Sequence, residues 1–155
     1  MRRNRPRPES PPSDPYGDAM RLLVRREHSR TELRRKLSLK GHEGDALEAA
    51  LDRLAAEKLQ SDTRFVEIFV RHRVQQGYGP VRIAGELRER GVDELEAEAG
   101  LDAAEVDWQE LAQATALRRF GETPAEDARE WAKRARYLQY RGFPADMVRR
   151  VLKRH

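Results

Sequence analysis

At Ser29…Glu32, Asp45…Glu48, Asp93…Glu96, Asp102…Glu105 and Thr123…Glu126 a serine, threonine or aspartate stands three residues ahead of a glutamate. At that spacing the first side chain accepts from an orphan backbone amide while the glutamate reaches back, so each pair reads as a helix start. Gly41, Gly77, Gly91, Gly121 and Gly142 stand where helices should stop, because glycine closes a helix in the left-handed conformation at no steric cost. Pro80, Pro124 and Pro144 suit first-turn positions, where no amide hydrogen is needed. Runs of β-branched residues, the mark of strands, are missing. This punctuation predicts an all-α chain with helices near 15–28, 30–40, 46–58, 62–76, 80–90, 94–100, 103–120, 124–140 and 144–153.

The pattern repeats. Leu33, Leu37 and Gly41 recur as Ile83, Leu87 and Gly91, then as Arg134, Leu138 and Gly142, where only two of the three positions keep their type. Leu51 and Leu54 answer in the same way to Leu101 and to Val151 or Leu152. The expectation is three tandem three-helix repeats over 18–60, 61–101 and 102–155, behind a flexible Pro/Arg-rich tail over 1–17. Units of that size bury little surface alone, so they should stack into an elongated, curved array. Five of the eight prolines fall in the tail, which reads as a solubilising extension in preference to a phosphate-seeking arm.

Composition narrows the functions. Of 155 residues, 37% are charged and 38% hydrophobic, polar for a globular chain yet enough for a core. Without cysteine there are no disulfides, thiolate metal sites or cysteine nucleophiles. No apolar stretch approaches a membrane span or a signal peptide, so a cytoplasmic location is expected. The net charge of +4 is unevenly spread: the second repeat is acidic, while its flanks are basic. His28, His42, His72 and His155 lack metal-ligand spacing, and His72 follows Phe65 and Phe69 as a core-edge residue. There is no phosphate-binding loop and no nucleophile elbow, and Gly77-Tyr78-Gly79-Pro80 reads as a helix stop followed by a start. No catalytic residue, cofactor or metal is expected.

Two blocks carry a family resemblance. One is Arg26-Glu27-His28-Ser29-Arg30-Thr31-Glu32-Leu33-Arg34-Arg35-Lys36-Leu37. The other runs from Asp62-Thr63-Arg64-Phe65 through Phe69-Val70 and Arg73 to Gly77-Tyr78-Gly79-Pro80-Val81-Arg82-Ile83 and Glu86-Leu87. Together they resemble the RecX regulatory proteins, strongly over residues 18–92. The resemblance implies a small all-helical protein of DNA repair, recombination and the SOS response. It implies binding along the groove of a RecA filament on single-stranded DNA and inhibition of that recombinase's ATPase and strand exchange, with DNA touched weakly or through the filament. A monomer with no membrane partner is expected.

Helical geometry sorts the side chains. Ala19, Leu22 and Leu23 form the buried stripe of the first helix with Arg26 inside it, and Arg73 is placed similarly beside Phe69 and Val66. Both arginines are expected in buried ion pairs with Glu32, Glu86 or Asp62, and Glu32 and Glu86 read as corresponding positions in two repeats. Arg25, Arg34 and Arg35 point away from the stripes, with Lys36 at the border and Lys40 at a helix end, which makes them candidates for acidic patches or phosphates. Lys133, Tyr137, Tyr140 and Arg141 lie along one flank of the last repeat, followed by Arg149, Arg150, Lys153 and Arg154. That flank either stacks bases and holds phosphates or packs its tyrosines internally. Tyr78 is a loop anchor or an exposed contact, and Arg82 beside it joins the candidates. Trp131, Ala135 and Leu138 read as core. An independent DNA-binding helical module is the alternative function, followed by a structural adaptor; the acidic second repeat argues against a simple DNA-tracking surface.

Overall fold

The computed structural model describes residues 13–152, so the tail up to residue 12 and Lys153, Arg154 and His155 lie outside the described residues. Within them the chain is all-α: α1 (Pro15–Arg25), α2 (Arg30–Leu39), α3 (Gly44–Ala56), α4 (Asp62–Gln75), α5 (Pro80–Glu89), α6 (Glu94–Ala103), α7 (Trp108–Phe120), α8 (Ala128–Tyr140) and α9 (Ala145–Val151). The described residues fall into two compact units that divide between Ser61 and Asp62. Among the described residues no helix is long and apolar enough to cross a membrane.

The internal repeat shows most clearly where each second helix of a triplet ends. The amides of Gly41, Gly91 and Gly142 reach the carbonyls of Ser38, Arg88 and Gln139 at 3.0, 2.9 and 3.0 Å. The next residues, His42, Val92 and Phe143, reach back to Leu37, Leu87 and Leu138 at 3.1, 3.0 and 3.1 Å. Each closure delivers an equivalent, fully buried leucine to its core, Leu37, Leu87 or Leu138. In the third helices the equivalent core positions are Leu47, Ala97 and Val148, all buried, a correspondence obscured in the sequence by the change of residue type. Arg134 takes the place of Leu33 and Ile83. Its guanidinium lies 5.0 Å from the Phe120 ring centre and bonds to Glu130 at 3.1 Å and to the Thr123 carbonyl at 2.8 Å.

Each triplet has its own core. In the first unit Ala19 of α1, Leu33 and Leu37 of α2 and Leu47, Leu51 and Leu54 of α3 are buried together. The α4–α6 core is Phe65, Val66, Val70, Ile83, Leu87, Val92 and Ala97, with Trp108 of α7 packed against it. The α7–α9 core is Ala112, Ala116, Ala135, Leu138, Phe143 and Val148. Burying a leucine-sized side chain contributes about 1.5–3 kcal/mol, so the local pattern becomes stable through these contacts.

Several expectations are corrected. Among the described residues only Ser29…Glu32 forms the reciprocal capping box. Glu43 is the N-cap of α3, leaving Asp45 inside the first turn. Asp93 does cap α6, but its oxygen accepts from Leu95, and Glu96 accepts from Thr63 of α4 instead of closing a box. Helix α6 runs through Asp102, and α7 and α8 are capped by Asp107 and Asp127, each accepting from the amide three residues on. Pro124 precedes α8 and Pro144 is the N-cap of α9, so neither sits in a first turn. Helix α1 does begin at Pro15, as the sequence predicted, with Asp14 as its cap. His72 is exposed, not at a core edge. Glu32 sits in the first turn of α2 while Glu86 lies past the middle of α5, so they are not equivalent. Arg26 is the extended residue that ends α1 and its side chain is 48% exposed, because the helix stops before the stripe can carry it inward.

Candidate interaction site

In the first unit, most of the cations expected to face a partner are already engaged. Arg34 of α2 donates to Glu48 of α3 through Nε at 2.8 Å and Nη2 at 3.1 Å, and Arg30 reaches Glu48 at 3.2 Å and Asp52 at 2.6 Å. The Arg34 hydrogen bonds, reinforced by Arg30 against the cost of desolvation, hold the Glu48 carboxyl down at about 2. Arg34 thus fastens α2 to α3. Lys36 lies with Nζ 3.0 Å from Nε2 of His28, whose Nδ1 is 3.0 Å from the Arg26 carbonyl. An ammonium can only donate, so Nε2 accepts and Nδ1 carries the proton. Burial, opposed by that carbonyl, pushes the His28 pKa below its ordinary value.

Lys40 ends α2 with Nζ 3.8 Å from Asp18, a carboxylate only 2% exposed that also meets His42 at 2.7 Å and Arg21 at 2.6 Å. The His42 hydrogen bond is the main reason its carboxyl lies below the usual range. Arg25, Arg35 and Lys40 present exposed side chains. Two of them lie beside exposed apolar side chains that the sequence reading missed, Val24 next to Arg25 and Leu39 next to Lys40. For Leu39 a signal existed: two residues from Leu37 it faces about 200° away from the core stripe.

The second unit gathers Tyr78, Arg82, Tyr140 and Arg141 into one joint. Helix α5 has no side-chain cap at Gly79, and its entrance is satisfied instead by the turn after α8. The Gly79 amide donates to the Arg141 carbonyl at 2.8 Å and the Val81 amide to the Gly142 carbonyl at 3.0 Å. Arg141 returns the contact, donating to the carbonyls of Gly77 and Gln76 just past the end of α4. Orphan donors of one helix and terminal carbonyls of another are thereby paired directly with protein groups. The Tyr78 ring is flanked by the guanidinium groups of Arg141, 3.9 Å from its centre, and Arg82, 4.3 Å away. Arg82 also lies 5.1 Å from the Tyr140 ring and bonds Glu86 at 3.2 Å and the Tyr140 carbonyl at 3.3 Å. Tyr78 is therefore packed between two guanidinium groups, its side chain half-buried. Behind the joint, Arg73 Nε and Glu86 Oε2 form a half-buried ion pair at 2.7 Å, as the helical spacing suggested for Arg73.

Other candidates lie apart from this joint. Lys133 is exposed on α8, and Tyr137 packs edge-on against Phe120 at 5.3 Å with Arg119 5.3 Å from its ring centre. Tyr140 is 74% exposed, so one ring face remains open beside Arg82. Arg149 and Arg150 are exposed on α9, Arg150 paired with Asp146 at 3.4 Å. Ala135 and Leu138 are buried, while Trp131 is half-buried and donates from Nε1 to the Leu152 carbonyl at 2.7 Å. Among the described residues no group of three or more His, Asp or Glu side chains could hold a metal ion. The second unit thus holds cations and aromatics fixed at one joint, Tyr78, Arg82 and Arg141, with Tyr140 exposed at its edge.

Comparison with known proteins fits this architecture. Models of the first, second and third three-helix domains of RecX match residues 16–54, 61–101 and 105–152 in that order. The chain is 50% identical over 135 residues to the regulatory protein RecX of Pseudomonas syringae pv. tomato, covering 86% of each. It is 50% identical over 131 residues to the regulatory protein RecX of Halorhodospira halophila, covering 84% of this chain and 81% of that one. Its fold is similar to the crystal structure of RecX from Lactobacillus salivarius, with a TM-score of 0.75 at 23% identity over 88% of this chain and 91% of that one.

Proposed function

The chain belongs to the RecX family, and on that footing we propose that it regulates the RecA recombinase by binding its filament on single-stranded DNA and inhibiting ATP hydrolysis and strand exchange. The observation that carries the reading is half-identity over most of the chain to proteins named as regulatory RecX proteins. All three helical domains of that family are present in order. A protein acting by contact needs a rigid scaffold with exposed recognition groups, and the rigid joint around Tyr78 supports that kind of action.

In this reading Arg25, Arg35 and Lys40 of the first unit and Lys133 and Tyr140 of the second contact the filament. Arg34, Lys36, Tyr78, Arg82 and Arg141 act by holding helices in place. The protein works as a cytoplasmic monomer, and DNA contact adds to protein contact without replacing it. An independent DNA-binding module is the second reading, supported by the +4 net charge. The acidic second repeat weighs against it, since phosphate tracking favours a continuous basic surface.

The deciding experiment adds purified protein to a RecA recombinase hydrolysing ATP on single-stranded DNA. Suppression at substoichiometric amounts is expected. Unchanged hydrolysis at every ratio overturns the proposal, and a sequence-selective footprint on naked DNA at physiological salt favours the second reading.

A further inference from the structure

We propose that the cleft between the end of α4 and helices α7 and α8 is a phosphate site that binds the phosphodiester backbone of a nucleic-acid strand directly. The cleft encloses about 270 Å³ and is lined by Gln76, Thr115, Arg118, Arg119, Tyr137 and Arg141. Three arginines share one small opening, and among the described residues none of the three is in an ion pair with a carboxylate.

The arginines differ in how they are held. Arg141 is fixed in advance, with its Nε and Nη2 bonded to the carbonyls of Gly77 and Gln76 and its plane stacked on Tyr78. Those bonds use two of its five N–H groups and leave the rest for an anion. Arg118 and Arg119 are exposed at the last turn of α7, Arg119 leaning on the Tyr137 ring. The negative end of the α7 dipole accounts for cations at that turn. It does not account for Arg141, which arrives from the end of a different helix. The Thr115 hydroxyl already donates to the Leu111 carbonyl, so the side-chain donors left to an incoming group are guanidinium N–H, the Gln76 amide and the Tyr137 hydroxyl.

A carboxylate is satisfied by a single guanidinium fork. Three forks around one cleft suit a phosphodiester, whose two non-bridging oxygens each accept several hydrogen bonds and whose charge repeats along the strand. The cleft opens to solvent beside the exposed Arg118 and Arg119, so a strand can reach them from outside. This inference goes beyond the regulatory reading, and its test contains no recombinase, so the two fail separately.

The test uses the full chain and a fluorescent oligothymidylate, with anisotropy followed across a salt series. For Arg118→Gln/Arg119→Gln, weaker binding is expected, with the slope of log affinity against log salt reduced by about 1.4, or about 0.7 for each phosphate no longer neutralised. Arg88→Gln/Arg129→Gln makes the same charge change at two exposed positions outside the cleft and should keep the wild-type slope. Equal weakening in both pairs, or in neither, overturns the site. So does a polyglutamate peptide that displaces the oligonucleotide from the cleft at matched salt, since that outcome assigns the surface to an acidic protein partner. Should the Gln pair melt earlier than wild type, Arg118→Lys/Arg119→Lys, which keeps the charge, must restore the slope; a slope that stays low there also overturns the proposal.

Discussion

Gly79 and Gly142 meet backbone to backbone, the one at the entrance of α5 and the other at the turn after α8. A methyl group on Gly79 would stand 2.7 Å from the Phe143 amide nitrogen, and one on Gly142 would stand 2.7 Å from the Arg82 nitrogen. Gly142 also holds a φ of 104°, a region that favours glycine. The crowding atoms are main chain and the Arg82 Cβ, which no rotamer change moves. The contact sets the distance at which Arg141 reaches Tyr78, and with it the shape of the joint.

Gly79→Ala should therefore destabilise the second unit by roughly 1–3 kcal/mol, the usual range for forcing a methyl into a packed contact. Gly85→Ala is the matched comparison. It lies within α5, a Cβ there meets nothing within 4 Å, and helix propensity predicts a gain of about 0.5–1 kcal/mol. Urea denaturation of both variants checks this; a Gly79→Ala midpoint at or above wild type would mean that the backbone at the joint is pliable.

The helix stops were legible in the sequence because a left-handed glycine closure is decided within a few residues. Gly41, Gly91 and Gly142 do what local chemistry says they should. Helix starts were harder to read where the signal was degenerate. Asp107…Glu110 and Asp127…Glu130 have the capping spacing as fully as Asp102…Glu105 and Thr123…Glu126 do, and packing of Leu101 and Trp108 against the α4–α6 core selects among them. At the candidate site, residue types were readable and relationships were not. The Tyr78, Arg82 and Arg141 stack joins the ends of helices far apart in sequence, and no periodicity within either helix reports it. Arg34 looked solvated for the same reason: its partner Glu48 belongs to another helix.

The clip between α2 and α3 should be visible in acid. Glu48 carries a carboxyl pKa of about 2 in the fold against an ordinary 4.5, mainly through its Arg34 hydrogen bonds. A depressed carboxyl pKa gives stability that is complete above the unfolded value and is lost as pH falls through the folded one. Wild type should therefore lose first-unit stability between about pH 4.5 and 2. Glu48→Gln, already without the charged partner, should lose less over that window. Denaturation midpoints followed by a probe in the first unit test this, and parallel acid profiles would remove the clip from the account.

His28 gives a second reading at milder pH. Its pKa is pushed down chiefly by burial, so the folded state favours the neutral ring, and stability declines once pH falls below the unfolded value of 6.5. NMR of the ring should show Nδ1 protonated at neutral pH and a titration midpoint below 6.5. Lys36→Met removes the donor to Nε2 together with a nearby positive charge and should raise that midpoint. A midpoint that falls or stays put would break the assigned Lys36 to His28 hydrogen bond.

Arg26, Arg34 and Arg35 occupy one sequence motif and should separate architecture from contact. Arg26 bonds Glu32 through Nη1 at 3.3 Å and Nη2 at 2.9 Å, but the guanidinium side is 48% exposed while the carboxylate side is 11% exposed. Removing it leaves Glu32 bonded to the Ser29 amide at a helix N-terminus, so Arg26→Ala should cost about 1–2 kcal/mol, between a surface pair and a buried one. Glu32→Ala loses the capping box as well and should cost more. Arg34→Ala should weaken the α2–α3 clip and loosen the first unit. Arg35→Ala, at an exposed position, should stay within about 0.5 kcal/mol of wild type. If Arg35 belongs to the filament contact, that same variant should nevertheless bind the recombinase filament more weakly. Chemical denaturation beside filament-binding titrations on all four variants decides it: an Arg35→Ala protein that binds as wild type moves the contact off α2, whereas an Arg26→Ala protein of unchanged stability and abolished binding would place the end of α1 in the contact instead.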